Sequence, residues 1–290
     1  MSGDMDDMDD IEIVAKNIRR ARKIRKISKK DLAARLGLSE KKLSMLESGK
    51  EYQDDDLIEK IADVLNFRMD FFFQLPDKEF EEKILLRNSR IGARDKESII
   101  ELAKYKAAGA ASLVIVLGLK PFAGVERRET INKSDAKLLG KQLALTWIDH
   151  KKTLSEILEE NGIFIITLPG TSGLFRGLFI QKRGIPVIVM YEHNRSPREL
   201  IKDMAHEVGH AVFLKQNLEV EQEEELCDSF SDGFSEEVIR GKVEIGAFDF
   251  VQRMSIKAWK SGEISGSRAA EILEMRLFDF MEKYQYENHH

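Results

Sequence analysis

One cysteine, Cys227, in 290 residues excludes an intrachain disulfide and points to a reducing compartment. Runs long enough to cross a membrane are lacking too. The best apolar stretch, residues 107–119, is broken by Gly109 and Gly118 and falls short of the roughly 20 residues a spanning helix needs. The first ten residues are acidic and lack the basic-then-apolar layout of a secretion signal. No internal repeat is visible, and no low-complexity tract beyond that acidic tip. These absences predict a cytoplasmic protein without membrane attachment. With 42% hydrophobic and 33% charged residues, the chain has ample material for a globular core, and its length exceeds one typical domain.

The net charge of −5 hides an asymmetry. Residues 1–10 hold five aspartates and no base, whereas residues 16–50 hold thirteen bases against three acids. A surplus of ten positive charges in so short a stretch is the electrostatic footprint of a nucleic-acid binder. The alternative, a basic solvated face, fits less well with the helical pattern beneath it. Val14, Ile18, Ala21 and Ile24 form a helical stripe. Ser28 is placed to cap a second helix through Leu32, Ala33 and Leu36 that ends at Gly37; Ser39 caps a third containing Leu43 and Leu46, closed by Gly49. A fourth runs over residues 57–65, followed by residues 69–73. Helix, Gly-containing turn, helix is a layout whose second member enters the DNA major groove.

Ser28-Lys-Lys-Asp-Leu-Ala-Ala-Arg-Leu-Gly-Leu-Ser39 and Leu43-Ser-Met-Leu-Glu-Ser-Gly49 resemble the XRE (Cro/CI-type) repressor domain over residues 11–75. The resemblance implies that residues 39–47 are the recognition helix, with Glu40, Lys41, Lys42 and Ser44 facing the groove. Arg19, Lys29 and Lys30 would meet phosphates, which fix register without reading sequence. Many such domains carry Gln where Lys29 stands, which weakens base readout there. A small helical domain that binds protein is the competing reading. Double-stranded DNA is the expected partner, and a homodimer is expected because half-site recognition commonly needs two such units.

Pro76-Asp77-Lys78 marks a boundary, and residues from Phe80 to about Gly118 read as helical. Residues 120–130, with Pro121 and Gly124, read as a loop. Beyond it the pattern mixes helices and strands. Residues 138–147 and the Thr153-capped residues 154–161 read as helices. Residues 163–168, 177–181 and 186–191 read as strands, the last two joined through Lys182-Arg183-Gly184 in a hairpin. Ser196 and Pro197 then take the N-cap and first position of a helix.

That helix contains Met204-Ala-His-Glu-Val-Gly-His210. His206 and His210, four apart, project from one face, so two ring nitrogens can bind one Zn²⁺ while Glu207 serves as general base. Gly209 lets another backbone approach. A zinc site needs a third protein ligand, and the acidic stretch 221–228 offers one. Read as a helix with Leu226, Cys227, Phe230 and Phe234 buried, it places Glu224 near the buried side. Asp228, one turn on, suits a group that orients a histidine through its other N–H. Glu221, Glu223 and Glu225 read as a solvated acidic helix start. Tyr191, His193 and Arg195 are candidate donors to a developing oxyanion.

Together with Thr153-Leu-Ser-Glu-Ile-Leu-Glu-Glu-Asn-Gly-Ile163, Gly184-Ile-Pro-Val-Ile188, Glu224-Glu-Leu-Cys-Asp228 and Arg268-Ala-Ala-Glu-Ile-Leu273, the motif resembles the ImmA/IrrE metallopeptidases, a family often fused to XRE domains. The resemblance covers residues 134–275. It implies His206, His210 and Glu224 as ligands of Zn²⁺, with Mn²⁺ the alternative ion, and Glu207 as general base of a gluzincin-like metallo-endopeptidase. Phe234-Ser-Glu-Glu replaces the family's Leu-Leu-Met-Pro, and the helix ahead of the metal motif departs from the usual Arg-Phe-Thr-Leu; both bear on substrate preference.

The expected fold is multidomain: an all-α helix-turn-helix bundle followed by an α+β minimal zincin-like domain with a small sheet. The segments are a disordered acidic tip (1–10), the helix-turn-helix domain (11–75), a helical linker (76–133) and the peptidase-like domain (134–288). Two functions remain open. One is a DNA-binding transcriptional regulator that cleaves a repressor or partner protein in stress response or mobile-element control. The other is a non-catalytic transcription factor or antitoxin using the peptidase fold as a sensor or binding module.

Overall fold

The computed structural model describes residues 10–74, 83–86, 92–126, 131–168, 176–191, 196–216 and 218–285. The chain divides into two compact units, residues 1–79 with 91–105 and residues 80–90 with 106–290.

Unit 1 is helical. Its elements are α1 (Asp10–Ile24), α2 (Lys29–Leu36), α3 (Glu40–Leu46), α4 (Asp55–Leu65), a 3-10 helix (Met69–Phe73), and α5 (Ala93–Val116) as far as Tyr105. The caps are those the residue types demand: the side chains of Ser28, Ser39 and Asp54 accept from backbone N–H groups of Asp31, Lys42 and Leu57. Ile18, Ala21, Leu32, Leu43, Leu46, Ile61 and Phe72 are fully buried, which makes the helical stripes one core. Arg25 donates to the carbonyls of Leu65 (2.8 Å) and Asn66 (2.7 Å), closing the C-terminus of α4. Asp10, expected in a disordered tip, is the first residue of α1, where an acid complements the helix dipole; residues 1–9 of that tip lie outside the described residues.

Unit 2 contains the rest of α5, then α6 (Lys133–Trp147), α7 (Leu154–Glu160), β2 (Phe164–Leu168), β3 (Gly177–Lys182), β4 (Ile185–Tyr191), α8 (Pro197–Val212), α9 (Val220–Arg240), α10 (Phe250–Lys260), α11 (Gly266–Ile272) and α12 (Leu277–Gln285). Its sheet has four strands in the order β1-β3-β4-β2, where β1 is Lys83–Leu86. β3 and β4 form the expected hairpin around Arg183-Gly184, and β2 lies parallel to β4. β4 is buried along its whole length, as a central strand should be.

The strand β1 corrects the expectation of continuous helix from Phe80 to Gly118. Ile84-Leu85-Leu86 is a short apolar run whose period does not separate helix from strand, and pairing with β3 decides it. Among the described residues the next helix, α5, begins at Ala93.

The core of unit 2 joins Leu154, Leu158, Ile165, Phe179, Ile188, Met204, Val208, Cys227, Phe230 and Phe234. α6 and α9 cross at backbone contact: a Cβ at Gly233 would stand 2.0 Å from the Lys137 carbonyl oxygen, and one at Gly140 2.3 Å from that of Phe230. Among the described residues no helix is long and apolar enough to cross a membrane.

Candidate metal centre and nucleic-acid interface

α8 starts where the sequence says it must. Pro197 follows Ser196, whose backbone N–H donates to Glu199 (3.1 Å) while the Glu199 N–H donates to the Ser196 hydroxyl, a reciprocal cap. Residues 203–212 of this helix are all buried. His206 and His210, one turn apart, have ring centroids 4.9 Å apart and nearly perpendicular planes.

α9 crosses α8 at Gly209, where an added Cβ would lie 3.1 Å from the Cα of Cys227. The crossing brings one face of α9 against both imidazoles. Glu224 Oε2 stands 3.3 Å from His206 Nε2, and Glu224 Oε1 stands 3.6 Å from His210 Nε2. On the far side of each ring a carboxylate waits. His206 Nδ1–H donates to Asp228 (3.0 Å), and His210 Nδ1–H donates to Glu223 (3.0 Å). The Cys227 sulfur lies 3.3 Å from that same His210 Nδ1. Burial pushes the His210 pKa down, against the smaller upward pull of Glu223, so the ring is held neutral.

Neutral imidazoles with Nδ1–H engaged present an Nε2 lone pair, which is the form that ligates a cation. The Nε2 of His210 is buried and has no hydrogen-bond partner among the described residues. His206, His210 and Glu224 offer three ligand atoms within 4.8 Å of one another. Ligands about 2.0–2.1 Å from a tetrahedral ion stand about 3.3 Å apart, so the donor set and its spacing fit Zn²⁺ and tolerate Mn²⁺.

Glu207 is buried beside this set and packs against the first residue of β3. A Cβ at Gly177 would stand 2.5 Å from Glu207 Oε1, so only glycine leaves the carboxylate its place. Phe179, two residues along β3, has its ring 5.9 Å from that of His210. Tyr191 is buried at the end of β4, and burial pushes its pKa up to about 12, so it carries its proton. His193 and Arg195 lie outside the described residues.

The structure thus brings together His206, His210, Glu224 and Asp228. Glu223 is a correction. Expected on a solvated helix start, it is 2% exposed and holds His210. Its signal lies in the sequence: Glu223 precedes Cys227, a residue of the buried side, by one helical turn.

In unit 1, α2 and α3 form the helix pair. Glu40, Lys41 and Lys42 are exposed on α3, as are Lys30 on α2 and Arg19 on α1; Lys29 and Ser44 are half-buried. Lys29 Nζ donates to Ser44 Oγ (3.2 Å) and stands 3.6 Å from Glu47, while Lys42 lies 3.4 Å from Glu51. Beneath them Arg22 reaches the buried carboxylate of Glu47 with two guanidinium nitrogens, one at 3.0 Å. This forked pair ties α1 to the end of α3 and sets the angle at which α3 is presented.

Residues 18–72 match a family model described as Helix-turn-helix. This segment is a DNA-binding helix-turn-helix domain of the XRE type. The chain that carries it is a DNA-binding regulator. No curated protein matches the sequence. A solved structure of Bacillus thuringiensis PlcR in complex with the peptide PapR7 and DNA is similar at 12% identity, over 95% of this chain and 94% of that one. The TM-score of that match is 0.21.

Proposed function

We propose that this helix-turn-helix regulator is also a metal-dependent endopeptidase, whose second unit cleaves a repressor or other partner protein. One observation carries the reading: the Nε2 atoms of two buried histidines and the carboxylate of Glu224 converge, with each Nδ1 already held by a carboxylate. The resemblance of residues 134–275 to the ImmA/IrrE family supports it.

His206, His210 and Glu224 would hold the ion. Zn²⁺ held there would supply Lewis acidity, making water a nucleophile near neutral pH and polarising a scissile carbonyl. Glu207 accepts the proton of the attacking water and returns it to the leaving amine, a task suited to a carboxylate buried beside the ligands. Asp228 and Glu223 keep the imidazoles in the Nδ1–H tautomer. Unit 1 delivers this chemistry to DNA, where paired half-sites would recruit a homodimer.

Metal analysis of wild type, His206→Ala and Glu224→Ala tests the site. About one ion per wild-type chain, lost in both variants, is expected. Glu207→Gln should keep the ion and lose peptide hydrolysis. A wild-type chain that stays metal-free after reconstitution would overturn the peptidase and leave the non-catalytic regulator or antitoxin. Lys41→Ala with Lys42→Ala should weaken DNA binding and flatten its salt dependence.

A further inference from the structure

β3 is the strand that passes the candidate centre: Gly177 abuts Glu207, and Phe179 lies against His210. A strand offers two hydrogen-bonding edges. On β3 one is filled by β4, and the other by β1, which runs antiparallel in the register Lys83↔Gln181, Ile84↔Ile180, Leu85↔Phe179, Leu86↔Leu178. The last two pairs set the β1 backbone beside the stretch of β3 that flanks Glu207 and His210.

β1 differs from the other strands. It is the shortest at four residues, it lies at one edge of the sheet as β2 lies at the other, and it comes from outside the sequence that builds the rest of the sheet. Chain on both sides of residues 80–90 belongs to unit 1. Four residues paired along a single edge form the kind of element that opens at low free-energy cost. Extended peptides bind such edges by strand addition, with backbone hydrogen bonds giving affinity whatever the side chains.

We infer that β1 is a self-inhibitory strand: residues 83–86 occupy the β3 edge on which an extended substrate segment would pair as an antiparallel strand, and they must leave before it can. Residues 83–86 keep the position filled until they are displaced, so turnover is slow in the resting chain. This inference rests on the peptidase reading for the fate of the bound segment, but not for its binding.

The test uses the full chain, wild type against Ile84→Pro/Leu85→Pro, which removes two of the four β1 N–H groups and breaks the pairing with β3. The probes are a labelled synthetic peptide of residues 80–90 and β-casein. In the proline variant, amide exchange over Gly177–Lys182 should accelerate by about tenfold or more while β4 stays protected. The peptide should bind the variant about tenfold tighter than wild type, restore that protection, and inhibit a β-casein hydrolysis that has risen about tenfold. Lys83→Cys/Gln181→Cys gives the opposite case without proline: the oxidised form should bind no peptide and cleave little casein, and reduction should restore both.

Unchanged exchange in β3, or peptide binding that leaves β3 exposed, would overturn the inference. So would casein cleavage that is brisk in wild type and indifferent to both variants; that result would leave the peptidase standing. Peptide binding along β3 in a metal-loaded chain that cleaves nothing would support the docking edge and overturn the peptidase.

Discussion

Glu223 Oε1 accepts a hydrogen bond from His210 Nδ1 at 3.0 Å, and both side chains are almost wholly buried. The pair mirrors Asp228 with His206, yet the two differ in setting: the Asp228 side chain is 54% exposed and that of Glu223 only 2%. A buried acceptor has no water to replace it, so Glu223 should matter more.

Glu223→Gln is accordingly expected to weaken metal affinity by about 10- to 100-fold, and more than Asp228→Asn does. Competition with a calibrated chelator measures both. Equal affinities in wild type and Glu223→Gln would show that the second carboxylate does not orient His210.

Gly177→Ala places a methyl group on Glu207 and leaves His206, His210 and Glu224 untouched. The variant should retain about one ion per chain but lose about 100-fold in peptide hydrolysis, the effect of misplacing a reacting group by about 1 Å. Loss of metal and activity together would mean that Gly177 serves the fold of the site rather than the position of Glu207.

Gly233→Ala should be the more damaging glycine change for stability. Its Cβ would meet the Lys137 carbonyl oxygen at 2.0 Å, a backbone atom that cannot swing aside. The cost is expected at about 3 kcal/mol or more, read as a drop in the denaturation midpoint. Gly262→Ala, with open space around the added methyl but a φ of +79°, should cost only the strain of its backbone, about 1 kcal/mol.

Arg22 and Glu47 form a buried pair in the helix-turn-helix unit, with side chains 10% and 2% exposed. Glu47→Ala strands the guanidinium and should destabilise that unit by about 3–5 kcal/mol. Arg22→Met with Glu47→Leu should recover most of the loss, because removing both charges removes the desolvation penalty. DNA affinity of the double variant then reports whether the pair also aims α3.

Much of this was legible in the chain itself. Ser28, Ser39, Thr153 and Ser196 announced helix starts because a short polar side chain satisfies N–H groups that nothing else in the helix can reach. The spacing of His206 and His210 fixed their common face, since a helical turn is a local property of the backbone. Arg183-Gly184 marked the hairpin for the same reason: both residues adopt positive φ, a demand that a two-residue turn makes on its own sequence.

Tertiary structure decided what local rules leave degenerate. Lys83–Leu86 became a strand only because β3 offered an edge, and an apolar run of that length carries no period of its own. Glu223 and Glu225 are alike in sequence, both acids near the start of α9, yet one is buried against His210 and the other exposed. Which of them is buried follows from the rotation of α9 about its axis. That rotation is set by Gly140 and Gly233, where the neighbouring helix leaves no room for a side chain, and by Gly209, where the approach is tight.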